Sequence, residues 1–324
     1  MTDAAVEAFL RETGLVGVAN EAEIEKVRGL LEDVSELVQS GHDVRDLRVA
    51  ATAMRELLDA ARVFSPWRDR PKLTVFGSAR TAATSPLYEM ARTLSERMVT
   101  RGWMTVSGAG PGIMQAAAEG AGLGETLGVN ITLPFEQSSN PYVDAESRLV
   151  EMKYFFTRKV ALTKESLAFV FFPGGLGTMD EVFEILTLLA TGKGGPAPVM
   201  LVDTADGTYW ESWLRFIDES VIAAGYLDAE AAVLFRLCHS LDEVEREIDH
   251  FYANFTDFTL TGDRGRLGLH HDLSPADVVE LRRRVPDLAG GPGFRADDHG
   301  LQFEFDGRRY VELRRLIDAV NDLV

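Results

Sequence analysis

Between residues 72 and 238 the chain repeats one pattern: a short apolar run, a turn of small residues, then an amphipathic stretch at helical spacing. Strand candidates fall at 73–76, 103–106, 127–131, 149–152, 167–172, 199–202 and 233–237, and most are followed by a helical pattern. Strands alternating with helices cannot pair through tight hairpins; they form a parallel sheet with helices over both faces. The predicted fold class is therefore α/β, a doubly wound parallel sheet. Ser85-Pro86 marks one helix start, with a capping serine and a proline at the first position, and another helix runs from Ile113.

The flanks read differently. From residue 6 to about 65, apolar residues such as Ile24, Val27, Leu30, Leu31, Val34 and Leu37 recur at helical spacing, interrupted at Gly41 and closed by Ser65-Pro66. After about residue 255, Ser274-Pro275 opens a helix, 290–293 is a flexible break, 301–305 alternates like a strand and a final helix begins at Tyr310. The expected organisation is a helical N-terminal extension over 1–66, the doubly wound domain over 67–258 and a small α+β C-terminal appendage over 259–324.

Ligands of such sheets bind beyond the carboxyl ends of the strands, so the turns there carry the functional information. Three are rich in glycine: Gly77-Ser78-Ala79-Arg80, then 107–112 with Gly108, Gly110 and Gly112, then Pro173-Gly174-Gly175-Leu176-Gly177-Thr178. Small residues where a strand hands over to a helix let backbone N–H groups and the positive helix end approach an anion, so a phosphorylated ligand is expected. The spacing at 108–112 is not that of dinucleotide binders. Gly192-Lys193 is followed by Gly194, which breaks the P-loop pattern.

The formal charge of -18, from 33 basic and 51 acidic residues, argues against nucleic acid or an anionic membrane as partner. It does not oppose a bound phosphate, because N–H donors act at contact while the net charge is screened over about 8 Å at physiological salt. No apolar run approaches a membrane span, and the start at Met1, Thr2 and Asp3 lacks a basic flank, so a cytoplasmic location is expected. A single cysteine, Cys238, excludes an internal disulfide and reads as buried and structural. His42, His239, His250, His270, His271 and His299 show no ligand spacing, so no metal site is expected.

Glu181 is the sharpest single candidate. It stands three residues after Thr178, a spacing that also describes a capping box, yet beside a phosphate turn a carboxylate can stabilise an oxocarbenium-like sugar or activate water. Arg158 and Lys159 lie on the amphipathic stretch 154–164, where a solvated helix face is the plain alternative. The aromatics Tyr154, Phe155 and Phe156 read first as core and second as a surface on which a base stacks.

The stretch Pro173-Gly174-Gly175-Leu176-Gly177-Thr178-Met179-Asp180-Glu181 resembles the P-G-G-x-G-T-x-x-E signature of the LOG family, phosphoribohydrolases first known for activating cytokinin nucleotides. Val75-Phe76-Gly77-Ser78, the 108–114 turn, Arg158-Lys159 and residues 187–193 agree in order and spacing, so the resemblance covers roughly residues 72–255, with the flanks of the longer bacterial type. It implies a Rossmann-like fold, a homodimer or higher homo-oligomer, and hydrolysis of the N-glycosidic bond of nucleoside 5'-monophosphates, AMP or cytokinin-type nucleotides, to free base and ribose 5-phosphate. It implies Arg158 and Glu181 as catalytic residues and Gly174, Gly175, Gly177 and Thr178 as the phosphate-binding loop. Gly77, Ser78, Gly108, Gly110, Gly112, Met114 and Lys159 are the further substrate-binding expectations. No cofactor is expected: relatives have carried the label lysine decarboxylase, but that chemistry needs pyridoxal phosphate on a lysine, and the sequence gives no independent sign of such a site. The alternative is a non-catalytic nucleotide-binding or sensing protein of the same fold.

Overall fold

The computed structural model describes residues 3–14, 20–41, 43–133, 139–291 and 293–324. Met1, Thr2, His42 and Pro292 lie outside these, so the readings that fall on them are not addressed below. The chain divides into two compact units, Met1–Leu58 and Asp59–Val324.

In the first unit, α1 (Asp3–Glu12) and α2 (Glu21–Gln39) precede α3 (Val44–Phe64), which continues into the second. Asn20 starts α2 with a capping box: its side chain accepts from the Glu23 N–H while the Glu23 carboxylate accepts from the Asn20 N–H. No residue of α2 is fully buried, and Leu30 and Val34 of its apolar stripe are exposed.

The second unit runs β1 (Lys72–Phe76), α4 (Pro86–Thr100), β2 (Met104–Ser107), α5 (Ile113–Ala121), β3 (Thr126–Ile131), β4 (Leu149–Met152), α6 (Phe155–Thr163), β5 (Ala168–Phe171), α7 (Leu176–Thr191), β6 (Val199–Val202), α8 (Tyr209–Phe216), β7 (Arg236–Cys238) and α9 (Leu241–Phe251). The seven strands form one parallel sheet in the order β4-β3-β2-β1-β5-β6-β7. The fold is Rossmann-like and doubly wound. Side chains alternate across the sheet as period 2 requires: Phe169 and Phe171 of β5 pack on one face with Leu162, Val182, Ile185 and Trp210, while Val170 packs on the other with Leu94, Met98, Ile113 and Val244. Cys238 is buried in this second layer. The strand expected at 233–237 is corrected: Ala229–Leu234 is a 3-10 segment and the strand is Arg236–Cys238. A short apolar run does not separate the two by periodicity, and here Leu234 is buried from a helical turn.

The remaining chain is a small α+β appendage: β8 (Phe255–Thr261), β9 (Arg264–Leu269), α10 (Pro275–Arg284), α11 (Pro286–Ala289), β10 (Arg295–Asp297), β11 (Gly300–Glu304) and α12 (Tyr310–Asn321). Its antiparallel sheet has the order β10-β11-β9-β8, with Leu267, Leu269, Leu301 and Phe303 facing Leu313, Leu316, Ile317 and Val320 of α12. A closed ring of charges ties α12 to the main sheet. Arg314 donates to Glu247 at 2.5 Å and Asp318 at 2.8 Å, and Arg236 lies 3.4 and 3.0 Å from the same two carboxylates. Among the described residues no helix is long and apolar enough to cross a membrane.

Candidate functional site

The chain winds from β1 outward through β2, β3 and β4, then returns to the other side of β1 with β5, β6 and β7. The reversal places a crevice at the carboxyl ends of β1 and β5, where open α/β sheets bind ligands. A cleft of about 620 Å³ opens there, and it extends past the exits of β2 and β3. Gly77, Ser78, Gly108, Gly110, Met114, Arg158, Gly175, Gly177, Thr178 and Glu181 line it. Gly112, Lys159 and Gly174 do not line it directly.

Those three support the wall instead. Gly112 is the N-cap of α5, whose first N–H, on Ile113, is accepted by the Ser78 carbonyl. The Ser78 N–H donates in turn to the Pro173 carbonyl, so the first and third turns are stitched together. A Cβ on Gly174 would overlap the Thr178 hydroxyl and come within 2.6 Å of Thr178 Cβ, so only glycine fits against that side chain. The Gly174 carbonyl accepts from the Tyr209 hydroxyl at 2.5 Å, a contact with no sequence signal.

Gly175 is the N-cap of α7, and no side chain caps the helix. Its carbonyl takes the N–H groups of Thr178 and Met179. Among the described residues, those of Leu176 and Gly177 find no backbone acceptor, and both residues line the cleft. Two free donors at the positive end of a 16-residue helix form an anion seat.

The capping-box reading of Thr178 and Glu181 is corrected, because both lie inside α7 and Glu181 does not tie the helix start. Glu181 is 5% exposed and its Oε2 atom has no hydrogen-bond partner, 3.7 Å from Lys159 Nζ. Burial pushes its carboxyl up to about 7, against the pull of the Lys159 and Arg158 charges. Lys159 Nζ lies 2.6 Å from Glu184 and 2.9 Å from Asp180. Burial works to lower the lysine's pKa, but the hydrogen bonds to Glu184 and Asp180 outweigh it and hold the ammonium charged.

Arg158 is fixed by backbone. Its Nε donates to the Val129 carbonyl at 3.0 Å and Nη2 to the Gly108 carbonyl at 3.3 Å, bridging the exits of β3 and β2. A Cβ on Gly108 would overlap that guanidinium and come within 2.7 Å of Met114 Sδ. The second glycine turn thus receives two side chains against Gly108. The expectation that 154–156 is core is corrected as well: Phe155 and Phe156 are about half exposed, and Phe155 lines the cleft. Their α6 face turns outward because Ala161 and Leu162 supply its buried side.

Sequence reasoning did not single out Arg80, Asn130, Ile131, Leu133 or Asp180, which also line the cleft. The signal for 130–133 was its place at a strand exit. With no glycine there, it did not stand out. Among the described residues, no group of histidine, cysteine and carboxylate side chains could hold a metal ion.

An uncapped helix start at a topological switch point, with a buried acid lacking a hydrogen-bond partner at Oε2 beside it, places this chain among α/β proteins with a cleft at the carboxyl ends of their strands. A family model described as "Possible lysine decarboxylase" matches residues 112–248. A probable cytokinin riboside 5'-monophosphate phosphoribohydrolase of Oryza sativa subsp. japonica is 36% identical over 141 residues, 41% of this chain and 54% of that protein. A second rice protein of the same description is 30% identical over 182 residues, 53% of this chain and 78% of the relative. A cytokinin riboside 5'-monophosphate phosphoribohydrolase of Mycobacterium marinum (strain ATCC BAA-535 / M) is 28% identical over 182 residues, 54% of this chain and 93% of the relative. The match spans about half the length of the first rice protein. The chain belongs to the LOG family, the group of proteins that this model describes.

The decarboxylase description implies pyridoxal phosphate held by a lysine, and the site does not fit it. Among the described residues no lysine lines the cleft, and the nearby Lys159 is held by Asp180 and Glu184.

Proposed function

We propose that this protein hydrolyses the N-glycosidic bond of nucleoside 5'-monophosphates, releasing free base and ribose 5-phosphate. The observation that carries the reading is Glu181: nine-tenths buried, without a hydrogen-bond partner at Oε2, and beside the free N–H groups that begin α7. Leaving such a group unmade costs stability, and a position above a sugar gives it work to do. The names of the rice and mycobacterial relatives support the same reaction class.

In this mechanism the α7 donors hold the 5'-phosphate, which fixes the ribose over Glu181. As the bond from C1' to the base breaks, its electron pair leaves with the base and positive charge grows on the sugar. The ionised carboxylate of Glu181 stabilises that charge and takes a proton from the attacking water, whose oxygen bonds to C1'. The departing base gains a proton from solvent and Glu181 returns to solvent the one it took from the water, so one water is consumed overall. Arg158, held by the Val129 and Gly108 carbonyls, keeps a fixed positive charge beside the site and orients the substrate.

The protein acts as a homodimer or higher homo-oligomer in this reading. Exposed Phe155, Phe156 and Val160 on α6 and Leu176 and Phe183 on α7 support a second copy packing beside the cleft. Light scattering on the purified protein tests it, and a monomer would overturn it.

The test of the activity is ribose 5-phosphate release from a panel of nucleoside monophosphates, wild type against Glu181→Gln. Release that falls at least about a hundredfold in the variant is expected. Binding without release from any nucleotide would replace the enzyme by a nucleotide-binding or sensing protein.

A further inference from the structure

The far end of the cleft carries one polar device that the reaction does not use. Asn130 is the fifth residue of β3 and lines the cleft. The parallel register sets it beside Glu151 of β4. Its amide nitrogen lies 3.1 and 3.2 Å from the two carboxylate oxygens of Glu151. An ionised carboxylate only accepts hydrogen bonds, so it dictates which end of the amide it meets. The NH₂ group is committed to Glu151, and the carbonyl oxygen is the end left for a ligand.

The distance along the sheet decides which part of a ligand arrives there. From β5, which feeds the phosphate seat, to β3 is three strand spacings, roughly 14 Å. With the phosphate at α7 and the ribose at Glu181 between them, the base is the part that reaches the β3 exit. Ile131 and Leu133 offer it apolar contact there, and Phe155 offers a ring.

Resting on the phosphoribohydrolase reading, we propose that Asn130 selects the base and that Glu151 sets the sense of the selection by fixing the Asn130 amide. A lone acceptor at this position accepts a hydrogen bond from an exocyclic amino group and opposes a carbonyl oxygen. The cleft therefore discriminates an amino base from its keto counterpart, adenine from hypoxanthine. Glu151 is a positioning residue that reaches the ligand only through Asn130.

The test compares AMP with IMP, in which the amino donor at C6 becomes a carbonyl acceptor and N1 changes from an acceptor to an N–H donor. Ribose 5-phosphate release is measured as kcat/KM, and binding of each nucleotide by calorimetry, for wild type, Asn130→Leu and Glu151→Gln. The wild type favours AMP by about tenfold, the scale of one paired against one unpaired polar group. Asn130→Leu brings the two within about twofold, because AMP loses its acceptor. In Glu151→Gln the new side chain both donates and accepts, so the Asn130 amide is free to turn, and the absolute value for IMP rises. A purely structural role for Glu151 would not improve any substrate.

An AMP to IMP ratio unchanged in both variants, with the wild type active, overturns the selection and leaves the reaction standing. A wild type that releases no ribose 5-phosphate from any nucleotide overturns the reaction. The same ratio is then read from the calorimetric affinities, where a preference for AMP that Asn130→Leu removes supports the selection and its absence ends it.

Discussion

Replacing Glu181 by glutamine is expected to stabilise the protein while it removes turnover, and one proton accounts for both effects. The unfolded chain releases the Glu181 proton near 4.5, whereas the folded protein holds it to about 7. Between those values the native state binds more protons than the unfolded state, so stability falls as pH rises through this window and is level above it. A rise from 4.5 to about 7 corresponds to roughly 3 kcal/mol of native stability lost by pH 8. Glutamine keeps the shape, carries no charge and escapes that loss. Urea unfolding followed by tryptophan fluorescence is the assay, since Trp67, Trp103, Trp210 and Trp213 all lie in the Asp59–Val324 unit. At pH 4 the two proteins have similar stability, and by pH 8 the variant leads by about 3 kcal/mol. Other titrating groups are common to both proteins and cancel in the difference. Wild-type kcat/KM rises over the same window, because the ionised carboxylate is the working form. Parallel stability profiles from pH 4 to pH 8 would refute the reasoning, since they would mean that Glu181 ionises at its ordinary value and is solvated.

Other perturbations separate the parts of the site. Gly108→Ala pushes a methyl group into the Arg158 guanidinium and Met114 Sδ, so kcat/KM falls about a hundredfold while the melting temperature moves little. Tyr209→Phe removes the hydroxyl that holds the Gly174 carbonyl and weakens nucleotide affinity by about 1 kcal/mol, read by calorimetry. Arg314→Met leaves Glu247 and Asp318 short of a partner in the ring that ties down α12 and lowers unfolding free energy by about 3 kcal/mol in urea. Arg80→Ala lowers nucleotide affinity less than about tenfold, whereas Gly174→Ala, which disturbs the donors themselves, lowers it more; the reverse order would place the phosphate on the arginine.

The strands and the glycine turns were legible because their signals are local. A short strand-like run such as 73–76 ending in Gly77, or Pro173-Gly174-Gly175 after Phe172, needs no knowledge of the rest of the chain. Strand order is not local. Only the arrangement β4-β3-β2-β1-β5 brings the exit of β3 into the same cleft as the start of α7, and so Asn130 and its pairing with Glu151 stayed hidden. The capping-box reading of Glu181 failed for a related reason. Gly175 starts the helix without a side-chain cap, three residues before Thr178, and leaves no sequence mark of doing so. The hairpin of β8 and β9 did carry a signal that went unread: Gly262-Asp263, with Gly262 at φ +63°, is a two-residue turn beginning with glycine between two alternating runs.

The acidity of the chain and its anion seat fit together once the charges of the cleft are taken singly. Its net charge is -18, yet the charged residues lining the described cleft are Arg80, Arg158, Asp180 and Glu181, two of each sign. Lys159, which a sequence reading would offer to a phosphate, is neutralised by Asp180 and Glu184 and anchors the helix that carries Glu181. In the proposed reading, attraction for a phosphate therefore rests on fixed N–H dipoles at the start of α7, which act at contact and do not depend on the field of the whole protein. That division leaves the carboxylate without a hydrogen-bonded counter-ion on its Oε2 side, the Lys159 ammonium standing 3.7 Å away. A lysine bonded directly to Glu181 would hold the acid ionised and low. A lysine at 3.7 Å whose hydrogen bonds go to Asp180 and Glu184 leaves burial to dominate, and burial is what brings the acid to the neutral range.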